Sequence, residues 1–97
     1  MGKARAAEPG EERWRVLFDS IHHVLAAERA AGERGVWHDL VPVPRPLSSD
    51  CGMALEFRAA DLAAVEEVLK APGLRWRGVY RPAAGGYEPV RTGPAVS

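Results

Sequence analysis

Residues 45–52 read Arg-Pro-Leu-Ser-Ser-Asp-Cys-Gly and hold the single cysteine of the chain, Cys51. A thiol attacks and carries sulfur as its thiolate, so what matters is whether Cys51 is displayed and whether its surroundings favour ionisation. Pro42, Pro44 and Pro46 stiffen the approach and limit the entropy lost when a partner docks. Arg45 adds positive charge, Ser48, Ser49 and Asp50 shape the turn, and Gly52 leaves room beside the sulfur for a partner's backbone. A second set of chemically able residues lies upstream: Ser20, His22, His23 and Glu28. Either histidine could serve as a base or hydrogen-bond partner. The plainer reading treats Cys51 as a small hydrophobe at a strand start, the histidines as solvated surface residues and the serines as turn chemistry.

The elements that must position these residues follow from periodicity. Trp14–Phe18 alternates and is β-prone. Asp19 or Ser20 can cap a helix running from Ile21 to about Arg34, with Ile21, Val24, Leu25 and Ala31 as its apolar stripe. Glu28 falls on that stripe, where a carboxylate is costly unless paired, so we expect a clamp to a basic residue such as Arg45. Val36–Val43 reads as an edge strand because prolines close it. Met53–Arg58 is the cleanest strand: Met53, Leu55 and Phe57 face inward, Glu56 and Arg58 outward. A second helix covers about Ala60 to Lys70, with Leu62, Val65 and Leu69 buried and Pro72-Gly73 stopping it. Leu74–Tyr80 is a fourth strand.

The order β-α-β-β-α-β is that of an α+β, ferredoxin-like sandwich: a four-stranded antiparallel sheet with both helices on one face. Right-handed crossovers put the loop carrying Cys51 at the same end as the N-terminus of the first helix, whose partial positive charge favours a thiolate. The other sheet face is bare. Arg15, Arg75, Trp76 and Arg77 are expected there, as a surface for a homodimer or another partner. The folded domain spans residues 13–81, flanked by a disordered N-terminal segment, 1–12, and a Pro- and Gly-rich disordered tail, 82–97.

Composition narrows the function. Thirteen basic and 13 acidic residues cancel, which argues against nucleic acid and anionic membranes. One cysteine rules out an intrachain disulfide framework and a CxxC pair. No leader and no apolar run of spanning length is visible, so a reduced, cytoplasmic, soluble protein is expected. No phosphate loop or nucleophile elbow is present.

The segment Val16–Tyr80 resembles a family of small bacterial and archaeal proteins described as Se/S carrier protein-like. The matching pieces are Phe18-Asp19-Ser20 ahead of a helix, Ala27-Glu28 within it, Pro42-Val-Pro-Arg-Pro-Leu-Ser-Ser-Asp-Cys51-Gly52, then Met-Ala-Leu-Glu-Phe and Asp61-Leu62. Pro-Arg-x-Leu-Ser-Ser-x-Cys-Gly is the specific part. His22 and His23 depart from the pattern, which more often has a small polar residue there, and the tails are longer. The resemblance implies that Cys51 accepts a sulfane sulfur or reduced selenium atom as a persulfide or selenosulfide and hands it to an acceptor protein. The donor would be a cysteine desulfurase or a selenium-donor protein. The chain would be a carrier rather than a stand-alone enzyme, with no cofactor. Two other classes stay open. One is a metal-binding module using Cys51, His22 and His23, although adjacent helical residues diverge by about 100°. The other is a regulatory or oligomerisation domain without chemistry.

Overall fold

A computed structural model describes residues 12–45, 47 and 52–93. The elements are β1 (Arg13–Phe18), α1 (Ile21–Glu33), β2 (His38–Pro42), β3 (Met53–Arg58), a 3-10 turn (Ala59–Asp61), α2 (Leu62–Leu69), β4 (Trp76–Ala83) and β5 (Gly86–Thr92). The strands form one open sheet in the order β2-β3-β1-β4-β5, antiparallel throughout.

The period-2 pattern of the central strands builds the core. Val16, Phe18, Leu55, Phe57 and Val79 are fully buried and meet Val24, Ala27 and Ala31 of α1 and Val65, Val68 and Leu69 of α2. Trp14 packs edge-on to Phe57, with ring centroids 6.3 Å apart. Burying a side chain of this size is worth about 2–3 kcal/mol, so these few residues supply most of the driving force of a small domain.

Three expectations about the elements are corrected. Four strands were expected, but a fifth forms from Gly86–Thr92, inside the stretch read as a disordered tail. The glycines there act as turn chemistry: Ala83 pairs with Gly86 across Ala84-Gly85, and Gly85 takes φ +82°. Pro89 is tolerated because β5 is an edge strand with a register shift opposite Val79 and Tyr80. Second, α1 turns a different stripe inward. Val24, Ala27 and Ala31 are buried, whereas Ile21 and Leu25 are 40% and 45% exposed. Small residues face the sheet because a helix crossing it closely leaves no room for larger ones. Third, Ser20 occupies the N-cap position in extended conformation, but its side chain makes no capping bond. The expected N-terminal segment up to residue 11, the last four residues, and Pro46 and Ser48–Cys51 lie outside the described residues. Among the described residues no helix is long and apolar enough to cross a membrane.

Candidate functional site at the loop end of the sheet

Register fixes where the cysteine-bearing loop is rooted. Pro42 pairs with Met53, and Ala54, next along β3, pairs with Leu17 near the end of β1. Helix α1 begins three residues after β1 ends. The loop between β2 and β3 therefore leaves the sheet at the end where α1 starts. The stem is closed by the Val43 amide donating to the Gly52 carbonyl at 3.1 Å, and the Leu47 amide donates to the Pro44 carbonyl at 2.9 Å. Arg45 is exposed and Pro44 half-buried.

Gly52, one residue after Cys51, takes φ +82°, and a Cβ there would meet nothing within 4 Å. The backbone angle, rather than lack of space, is what calls for glycine. The calls on Ser48, Ser49 and Cys51 lie outside the described residues.

The upstream residues separate onto two sides of α1. His22 and His23 turn towards the α2–β4 connection and line a recess with Ala26, Ala71, Pro72, Gly73 and Leu74. His23 Nδ1 accepts the Arg75 backbone amide at 3.1 Å, so in this arrangement its proton sits on Nε2. Glu28 lies on the opposite side, where its carboxylate is 3.9 Å from His38 Nε2. The expected partner, Arg45, is not the one found: helical geometry sets Glu28 over the start of β2, whereas Arg45 follows the end of that strand. His38 Nδ1 donates to the Val36 carbonyl at 2.8 Å, which orients the ring.

Sequence reasoning missed a clasp at the same end of the sheet. Asp19 accepts from Arg77 Nε at 3.1 Å and from Arg75 Nε at 3.3 Å, tying the end of β1 to the start of β4. The Arg77 hydrogen bond, seconded by Arg75, holds the Asp19 carboxyl below its usual range against the opposing effect of desolvation. Trp76, expected on the bare face, instead sits opposite Phe18 and packs against the core. Arg15 does lie there, and it meets Glu56, which sequence alternation placed in solvent. Glu56 is only 6% exposed. Its carboxylate is 2.8 Å from Arg15 and 3.6 Å from Arg13. Arg15 continues the row to the Tyr87 hydroxyl at 2.9 Å, and Arg13 stacks 4.5 Å over Trp37. Alternation did carry a signal: Arg13, Arg15, Glu56 and Arg58 share one face, but only the register set Arg15 opposite Glu56.

For a metal, among the described residues no three His, Cys, Asp or Glu side chains converge on one point. The fold is thus a small α+β domain that roots a cysteine-bearing loop beside the start of a helix. A family model described as "Putative Se/S carrier protein-like" matches residues 13–81, and the chain belongs to that family. Neither the curated proteins nor the solved structures contain a match.

Proposed function

We propose that the chain is a sulfur or selenium carrier in which Cys51 transiently holds a persulfide or selenosulfide and delivers it to an acceptor protein. The observation that carries this reading is the rooting of the Cys51 loop at the end of the sheet where α1 begins, in a member of this family. The first four strands and two helices are read as a ferredoxin-like unit, with β5 added at the β4 edge.

The step needs little machinery. The Cys51 thiolate attacks the outer sulfur of a donor persulfide; a new S–S bond forms at Cys51, the donor's S–S bond breaks, and the donor leaves as a thiolate. The sulfane sulfur moves without change of oxidation state, and no resolving cysteine or redox cofactor enters. The same exchange run forward loads the acceptor. A helix N-terminus and a guanidinium each favour a neighbouring thiolate over the thiol, and the loop is rooted at the end of the sheet where α1 starts and carries Arg45. Gly52 and Pro44 set the path of the loop on either side. The partners are a cysteine desulfurase or selenium donor on one side and an acceptor protein on the other, in the cytoplasm.

The test is intact mass after incubation with a cysteine desulfurase and L-cysteine, and separately with inorganic polysulfide. We expect the gain of one sulfur atom, lost in Cys51→Ser without a change in the thermal midpoint. An unmodified wild-type mass with both donors overturns the reading. A large fall in the midpoint of Cys51→Ser would identify the cysteine as packing.

A further inference from the structure

Beyond the reacting thiol, the outer side of α1 carries a surface that the fold does not use. Ile21 and Leu25 are the large hydrophobic residues left exposed among the described residues, at 40% and 45%. Their spacing places them with Glu28 and Gly32 on one helical face. The lower members of that face meet the start of β2: Glu28 reaches His38, and a Cβ on Gly32 would lie 3.8 Å from the His38 ring. Helix α1 and β2 run in opposite directions. Seven residues of helix rise about 10 Å, and four residues of strand about 13 Å. Ile21 and Leu25 therefore stand beside the upper end of β2, next to the exposed Pro42, where the cysteine-bearing loop departs.

Two exposed arginines accompany this pair. Arg29, one turn below Leu25, is exposed, and so is Arg45, just beyond the loop stem. Neither forms an ion pair with another described residue, and nor does Arg34 at the far end of α1, whereas Arg13, Arg15, Arg58, Arg75, Arg77, Arg81 and Arg91 do. Glu28, the acid on this face, is turned towards His38. An aliphatic pair with arginines that pair with no described residue is complementary to a segment that offers an apolar anchor flanked by carboxylates.

We infer that Ile21 and Leu25, with Arg29 and Arg45, form the docking surface for the protein that exchanges sulfur with Cys51, and that this protein meets it with an apolar side chain set among Asp or Glu residues. The inference rests on the carrier reading. Docking here brings the partner to the foot of the loop, while the thiol itself needs no further contact for exchange.

The test separates docking from thiol chemistry by comparing two donors. Inorganic polysulfide needs no docking and reads Cys51 alone; a cysteine desulfurase supplied with L-cysteine needs both. Leu25→Asp and Arg29→Glu are each at exposed positions, and circular dichroism checks that they remain folded. We expect both variants to load from polysulfide at the wild-type rate. From the desulfurase we expect loading to fall at least tenfold in Leu25→Asp and several-fold in Arg29→Glu. The wild-type desulfurase rate should fall with added salt, and less so in Arg29→Glu. Equal desulfurase rates in wild type and Leu25→Asp overturn the inference, as does wild-type loading by polysulfide but not by the desulfurase. A wild-type dimer that Leu25→Asp converts to monomer in sedimentation also overturns it, by assigning the surface to a second copy. No loading of the wild type from either donor overturns the carrier reading instead.

Discussion

The two faces of the sheet solve the same problem with different chemistry. On the helix-covered face Val16, Phe18, Leu55, Phe57 and Val79 meet two helices and exclude water with aliphatic and aromatic groups. On the other face no helix is available, yet Leu17, Ala54 and Glu56 are as buried, at 2%, 0% and 6%. That face is closed by its own side chains. The Tyr87–Arg15–Glu56–Arg13 row crosses β5, β1 and β3, and Arg13 ends it over Trp37. Arginine stems cover apolar strand residues while their guanidinium groups find a carboxylate or a ring. A sheet without a second layer of helix can thus be sealed by paired polar groups. Among the described residues the large apolar side chains left exposed, Ile21 and Leu25, lie on α1.

The contrast can be broken from either side. The largest loss is expected from Phe57→Ala, which empties the helix-covered core: about 3–5 kcal/mol, read as a shift of the urea midpoint. A loss under about 1 kcal/mol would mean that this face is not the main core. Glu56→Ala should cost less, about 2–4 kcal/mol, because it leaves two half-buried guanidinium groups facing each other. If it costs nothing, the polar row does not seal the second face. The smallest effect belongs to the exposed Asp19 clasp, which behaves as a surface ion pair and is worth within about 1 kcal/mol. Its carboxyl is held below 3.8, so its contribution is present above that value and lost as the pH falls through the lower folded value. The stability gap between wild type and Asp19→Asn should be full at neutral pH and close only in acid. A gap that widens on acidification would reverse the sign and reject the clasp.

Much of this arrangement was legible because it is local. The alternation of Met53–Arg58, the helix stop at Pro72-Gly73 and the prolines closing β2 are nearest-neighbour statements about backbone angles and hydrogen bonds. Rooting the cysteine loop at the start of α1 needed only element order and handedness. Three features escaped for a common reason. Ile21 and Leu25 fit a helical stripe as well as Val24 and Ala27 do, and the periodicity of one helix does not say how closely it crosses a sheet. Glu56 alternates outward as any surface residue would, and only the partner strand supplies Arg15. Gly85-Gly86 reads as disorder until a preceding strand is long enough to accept its return.

The sequence by itself determined the order of the elements from β1 to β4, the single thiol, the stiffened loop that carries it and, through Pro-Arg-x-Leu-Ser-Ser-x-Cys-Gly, the family. Those depend on residue type and short-range spacing. Only the tertiary structure decided which side chains meet across strands: Arg15 with Glu56, Asp19 with both Arg75 and Arg77, Glu28 with His38, and which apolar residues are left uncovered. Pairing across distant segments is set by register and by helix-to-sheet distance, and neither quantity is written in any one stretch of the chain.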